Sequence, residues 1–430
     1  VEQPFLGGVE SVNAAVRRRA DAASHPTPHH YSPHHYSPHE GCSSTMTNPA
    51  NAPAARPSRH PIRTVAVAAT GAAALLAGCS TDAPHKPAHR QSTPSPHTSH
   101  HDRAKPEAPK PTPTRHPSPV PTPEPAGFSP YVDTSLRPPL DLLKGAEETG
   151  VKEYTLAFVS PGGGCVPKWG GRQPLDANPV ARQADRLRAR GGDVRVSFGG
   201  QSGNELARAC GSVDALVKAY RTVIDTYGLT KVDFDLEGPA LTDTQANELR
   251  ARALARLQQQ RRNLDVSFTL PVLPSGLNRH SVAVLASAKK YGFRLSAVNI
   301  MAMDYGTFYD GDMGAYAIAA ATATHKQLKT ALGIRNDATA WRTVAVTPMI
   351  GVNDVKGEVF TTADAAQLKR FADAKGLGRL SMWSLTRDKP CLHGGQAKAL
   401  ATCSSIKKDA NAFARIFAGR PTTTGRSAAR

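Results

Sequence analysis

Three carboxylates alternate with apolar residues in the segment Lys231-Val232-Asp233-Phe234-Asp235-Leu236-Glu237-Gly238. Successive side chains of an extended strand point to opposite faces. Asp233, Asp235 and Glu237 therefore share one face, and Val232, Phe234 and Leu236 the other. A row of like charges on a buried face is costly unless one carboxyl takes up a proton, and a carboxyl kept protonated near neutral pH is a general acid. The spacing points to acid–base chemistry. Its rival is a Ca²⁺ or Mg²⁺ ion held by the three carboxylates, although a straight strand wraps a cation less well than a loop. Only His280, His325 and His393 lie past residue 126, so a multi-histidine metal centre is not expected there. No metal and no cofactor are expected.

Such a row needs elements to hold it. From residue 128 onward, β-rich runs alternate with helical stretches. The runs are 128–134, 153–160, 193–200, 231–237, 264–272, 295–305, 343–350 and 378–385. Leu/Ala/Arg/Lys stretches of helical length lie between them, at 177–190, 212–227, 242–262, 277–291, 314–332 and 362–375. Thr242-x-x-Gln245 reads as a capping box opening the fourth helix. Eight repeats of this size predict an α/β fold of the (β/α)8 TIM-barrel type over residues 127–418. A doubly wound sheet would carry a G-x-G-x-x-G turn after its first strand, and none follows Thr134. Barrel chemistry sits at the C-terminal ends of the strands, which puts Glu237 at the catalytic rim.

The segments carrying these residues resemble glycoside hydrolase family 18. The family's fourth-strand motif DGxDxDxE is matched in its DxDxE half by Asp233, Asp235 and Glu237, while its opening Asp-Gly is absent. The third-strand SxGG pattern is matched by Ser197, Gly199 and Gly200. The sixth-strand MxYD pattern is matched in part by Met301-Ala302-Met303-Asp304, and the eighth-strand Trp by Trp383. The resemblance covers residues 128–386 or so and is nearest to a bacterial and archaeal subgroup with DFDxEG. It implies a chitinase that retains configuration with help from the substrate's own acetamido group. Glu237 would be the general acid and base, and Asp235 would stabilise the oxazolinium. Asp233 would share a proton or hydrogen bond with Asp235 and tune it. Tyr305 would replace the tyrosine that the family places where Met303 stands, provided the strand continues that far. Asp304, Met303, Ser197, Gly199 and Gly200 would contribute to substrate binding, with Trp383 as the floor under the sugar. Trp169 and Trp341 are weaker subsite candidates. Asn353 and Asp354 are rim positions or ordinary turn residues.

Outside the barrel the composition changes. Residues 1–126 hold 13 of the 16 His and long Pro/Ser/Thr runs. Arg56, Arg59 and Arg63 precede a short apolar stretch ending Leu76-Ala77-Gly78-Cys79, the pattern of a bacterial lipoprotein signal with lipidation at Cys79. Residues 46–79 read as that signal, with translation expected from Met46 and 1–45 as a mis-annotated or disordered extension. Residues 80–126 read as an extended linker and 419–430 as a disordered tail. The expected location is extracellular, membrane-anchored through Cys79 or secreted. Four further cysteines fit an oxidising compartment. Cys391 and Cys403 are the nearest pair, and Cys165 and Cys210 follow neighbouring strands and would meet at one barrel end. Four free thiols are the alternative.

The net charge is +18, and residues 127–430 hold 41 Lys/Arg against 27 Asp/Glu. The arginines scatter over helices without interleaved aromatics, so no nucleic-acid partner is expected. The expected partner is chitin or N-acetylglucosamine oligosaccharides, bound by a monomer. Two alternatives stay open: an endo-β-N-acetylglucosaminidase acting on N-glycans or peptidoglycan, and a non-catalytic sugar-binding barrel.

Overall fold

The computed structural model describes residues 124–421. The extension 1–45, the signal 46–79 with Cys79, the linker up to residue 123 and residues 422–430 of the tail lie outside the described residues. Eight parallel strands form one sheet. Strand β1 runs in two pieces, Gly127–Phe128 and Tyr131–Asp133. It is followed by β2 (Glu153–Pro161), β3 (Asp193–Gly199), β4 (Lys231–Asp235), β5 (Asp265–Leu273), β6 (Ala297–Ala302), β7 (Val344–Pro348) and β8 (Arg379–Leu380). The sheet closes through β1: its first piece pairs with β8 and its second with β2. The Ser129 and Tyr131 amides donate to Leu380 and Met382 on one side, while Pro130 accepts from Thr155 on the other. A barrel closed in this way has no free edge.

Helices α1 (Leu142–Thr149), α2 (Ala184–Arg188), α3 (Val213–Thr226), α4 (Thr244–Gln260), α5 (Arg279–Tyr291), α6 (Met313–Ala331), α7 (Thr362–Lys375) and α8 (Ala412–Phe417) follow the strands in turn. Their ends are set by local chemistry. The side chains of Asp141, Ser212, Asn278 and Asp312 accept amides of the first turns they precede. Gly150, Gly292 and Gly376 end α1, α5 and α7 in the left-handed conformation. The capping box expected at Thr242 is absent. Pro239 opens a short helix, Gly238–Thr242, that absorbs Thr242, and Asp243 caps α4 by accepting from the Ala246 amide. A capping box does form at α7, between Thr361 and Asp364.

The apolar faces of the strands meet the helices as the alternation requires. Val232, Phe234 and Leu236 are fully buried. Phe234 stacks on Phe198 at 5.1 Å and meets Tyr220 of α3 edge-on at 5.0 Å. Each such ring contributes roughly 1.5–3 kcal/mol by leaving water.

The inward faces are unusually polar. Register places Asp233 between Ser197 of β3 and Ser267 of β5, and Asp235 between Gly199 and Thr269. Below this layer Arg195 pairs with Asp265 at 2.8 Å, and Arg379 donates to Ser267. Several expected strand ends move: β8, expected over 378–385, forms a ladder only over Arg379–Leu380, and β7, expected to residue 350, stops at Pro348. The ladder of β4 stops at Asp235, although Leu236 still donates to Thr269. Strand β6 stops at Ala302, because Asp304 turns into the left-handed region (φ 51°).

Candidate active site

A cleft of about 360 Å³ opens where the strands end. Asp235 reaches it from the end of β4 and Glu237 from just beyond that end, Thr269 and Pro271 from β5, and Met301, Met303, Asp304 and Tyr305 from β6 and the turn after it. Trp383 comes from the segment after β8. It stacks on Phe158 at 5.6 Å with 23° between the rings, and Tyr131 meets it at 6.0 Å. These three rings make an aromatic floor.

The three acids of β4 stand at different depths. Asp233 is fully buried and accepts from four hydroxyls: Tyr131 (2.9 Å), Ser197 (2.8 Å), Ser267 (2.5 Å) and Thr269 (3.0 Å). Arg195 and Arg379 lie beneath, and the charge of Asp233 acts on both. A buried carboxylate surrounded by donors and cations is compensated. Asp235, one layer up, has no such cage. Burial pushes its pKa well up, and the charges of Glu237 and Asp233 push it further. Its Oδ1 is buried and without a protein partner. Glu237 lies half-buried at the mouth, with its backbone still extended. Burial and then the charge of Asp304 raise it to about 7, while a hydrogen bond with Asp235 pulls the other way. Asp235 thus shares its hydrogen bond with Glu237, whereas the side-chain bonds of Asp233 go to its hydroxyl cage rather than to Asp235.

Asp304 is raised to about 6 by burial and by Asp354, against the pull of the Val355 amide and Arg387. Arg387 lines the cleft and is fixed by the carbonyls of Ile350 and Val352. Tyr305 enters the cleft through the turn after β6, since the strand itself has ended. Its hydroxyl is buried with no protein partner, and its ring packs against Tyr309 and Tyr316.

The structure gathers Asp235, Glu237, Met303, Asp304, Tyr305 and Trp383 around one cleft. It places Ser197, Gly199 and Gly200 behind it. Ser197 serves Asp233. A Cβ on Gly199 would sit 2.1 Å from the Asp235 carbonyl, and one on Gly200 would meet the Phe158 ring. Trp169 donates to the Tyr227 hydroxyl in the core, and Trp341 stacks on His325 among the outer helices. Asp354 lines the cleft, whereas Asn353 is buried and braces its own turn through the carbonyls of Met349 and Gly351. Tyr131, Phe158 and Arg387 carry no sequence motif; for Tyr131 and Phe158, a place near the end of an expected strand is the one signal. Cysteines 165 and 210 are bridged, as are 391 and 403, and the second bridge closes a segment whose Ala399, Leu400 and Ala401 form one wall of the cleft. Among the described residues no cluster of His, Cys, Asp and Glu is arranged to hold a metal ion, and no helix is long and apolar enough to cross a membrane.

No family model matches the chain. It is 35% identical over 307 residues to a probable bifunctional chitinase/lysozyme of Escherichia coli strain K12, across 68% of this chain and 34% of that protein. It is 34% identical over 289 residues to endochitinase 11 of Metarhizium anisopliae, across 63% of this chain and 55% of that one. The chain thus spans between a third and a little over half of the curated relatives it matches. Among solved structures, the catalytic domain of a hyperthermophilic chitinase from Pyrococcus furiosus superposes with a TM-score of 0.61 at 33% identity, covering 70% of this chain and 97% of that domain. Catalytic-site mutants of active domain 2 of the thermostable Pyrococcus furiosus chitinase, complexed with chito-oligosaccharides, match equally well, with a TM-score of 0.61 at 33% identity over 70% of this chain and 97% of that one. On these matches and this geometry, the chain belongs to the chitinase-like glycoside hydrolase family 18.

Proposed function

We propose that the chain is a chitinase that hydrolyses β-1,4-linked N-acetylglucosamine by a retaining, substrate-assisted route. The observation that carries this is a pair of unsatisfied groups beside Glu237. Asp235 Oδ1 and the Tyr305 hydroxyl are buried, line the cleft and lack protein partners. An unpaired buried polar group is expensive, so a ligand that completes it is favoured. An acetamido group offers one N–H for the carboxyl and one carbonyl for the phenol. Glu237, held near pH 7, protonates the glycosidic oxygen. The acetamido oxygen attacks the anomeric carbon as the glycosidic bond breaks. Asp235 accepts from the N–H and balances the positive charge of the oxazolinium. Glu237 then takes a proton from water as that intermediate opens. Asp233 holds the strand and the charge beneath Asp235. Trp383 offers an apolar face to the sugar.

The test is release of fluorophore from a methylumbelliferyl chitobioside. Glu237→Gln is expected to lower kcat by at least a hundredfold with the fold intact. Turnover like that of the parent would end the assignment. The name of the Escherichia coli relative, which includes lysozyme, favours a second reading, an N-acetylglucosaminidase acting on peptidoglycan. A panel of chitotetraose, peptidoglycan and N-glycan separates the two.

An exported, lipid-anchored monomer belongs to the same reading. Two disulfides support an oxidising compartment. Palmitate labelling in a bacterial host is expected for the parent and lost in Cys79→Ala; equal labelling of the two would refute the anchor.

A further inference from the structure

We propose that Glu358 is a positioning residue: with Asp304 it clasps the loops after β6 and β7 together and so fixes Asp304 and Tyr305 at the cleft. Glu358 stands between two short strands, Gly351–Val352 and Val359–Phe360, which pair antiparallel. It is fully buried, yet nothing in its sequence surroundings marks it. Its Oε1 accepts the Gly306 amide at 2.8 Å. In return, Asp304 Oδ1 accepts the Val355 amide at 3.0 Å. Each loop lends a carboxylate to a backbone donor of the other, as the two halves of a capping box do along one helix.

The clasp answers a problem of backbone geometry. Asp304 sits at φ 51°, a region that side-chain-bearing residues seldom occupy and that persists only when surrounding structure enforces it. Gly306 follows at φ 119°, open only to glycine. These two departures from strand geometry swing Tyr305 into the cleft, and the Glu358 carboxylate is the buried anchor at their end. Its Oε2 is buried without a protein partner, so the clasp depends on the single Oε1 that takes the Gly306 amide, an acceptor that a carboxylate or a side-chain amide can supply. The Glu358 backbone is itself tied down: its amide donates to Val355, and its carbonyl accepts from Asn353. Asp304 then faces Glu237 on one side and Asp354, Arg387 and Glu358 on the other; Glu237 faces Asp235 and Asp304.

The activity arm of the test rests on the chitinase reading, so a second arm needs no turnover. Glu358→Ala and Glu358→Gln are compared with the parent by kcat and KM on the chitobioside, by the pH–rate profile, and by carboxyl ¹³C NMR titration of Glu237, with thermal unfolding to verify the fold. Loss of the clasp in E358A lets the charge of Asp304 drift from Glu237. The expected outcome is a fall in kcat of about tenfold or more with KM within about threefold, and an alkaline limb moved to lower pH. E358Q keeps an oxygen for the Gly306 amide and is expected to stay within about threefold of the parent. A folded E358A with parental kcat and limb overturns the proposal, as does E358Q falling as far as E358A. If the parent turns over no substrate, the chitinase reading fails and the titration decides alone. A downward move of the Glu237 midpoint in E358A but not in E358Q supports the clasp, and no move overturns it. Should E358A not fold, Glu358→Asp withdraws the carboxylate by one methylene, and the same outcomes decide.

Discussion

Two carboxyls in one row, Asp233 on β4 and Glu237 two residues past its end, meet opposite treatment. Asp233 receives four hydroxyl donors and two guanidinium groups nearby, an arrangement that suits a standing charge. Glu237 receives burial and a like charge, which suit a proton. That difference has a consequence for stability. The folded pKa of Glu237 is about 7 against 4.5 for an ordinary glutamate, so between those values the folded state binds more protons than the unfolded one. Stability from this group is fully present below about 4.5 and is lost as pH rises through about 7. Glu237→Gln removes the slope. The variant is expected to match the parent at pH 4 and to exceed it at pH 8 by up to about 2 kcal/mol, allowing for the partial solvent contact of the side chain. Urea unfolding at both pH values measures this. Parallel stability–pH curves for parent and variant would contradict it. An active site that becomes more stable when its acid is removed is one whose geometry was set against the fold's own preference.

At the scale of elements, the site depends on how close β3 and β4 can run. Gly199 allows the Asp235 carbonyl to approach where any Cβ would collide, and its φ of 103° is closed to other residues. That approach brings Ser197 level with Asp233 and leaves the next layer of β4 free to face the cleft. Much of this is legible in the sequence itself. The eight runs and their helices stand out because strand alternation and helical periodicity are strong signals over seven or more residues. The acid row is legible because alternation alone assigns its shared face. What escapes are features decided by partners far away in sequence. Strand β6 ends early because Asp304 and Gly306 answer to Glu358, some fifty residues on. Ser197 reads as a site residue, but its hydroxyl turns to Asp233. Thr242 carries a capping pattern that Pro239 pre-empts by starting a helix earlier. Arg387 and Phe158 are single residues whose roles come from the walls they meet. Local chemistry names the elements; the cleft is assembled by contacts between loops.

For the domain as a whole, closure and access are separate tasks given to different ends of the chain. The split first strand closes the barrel, with Ser129-Pro130 as the hinge where pairing passes from β8 to β2. The segment after β8 then returns over the rim. Its residues 391–403 are closed by a disulfide across 12 positions, and Ser404 accepts the Val352 amide where the segment rejoins the β7 loop. Ala399, Leu400 and Ala401 stand on the cleft, and so do Pro271, Val272 and Leu273 from the end of β5; all six side chains are apolar. None of them is placed to exchange a proton, so this wall belongs to binding and not to bond cleavage. Removing the bridge frees a loop of about a dozen residues, a constraint worth roughly 2–4 kcal/mol to the chain but local in its reach. The double variant Cys391→Ser/Cys403→Ser is therefore expected to raise KM for chitotetraose by about three- to tenfold, while kcat stays within about twofold and Glu237 keeps its alkaline limb. A fall in kcat with KM unchanged would mean that the segment supports the acids rather than the substrate. Because the Cys165–Cys210 bridge contributes no residue to the wall, its removal is expected to lower the unfolding midpoint without this change in KM, which separates a loss of stability from a loss of cleft shape.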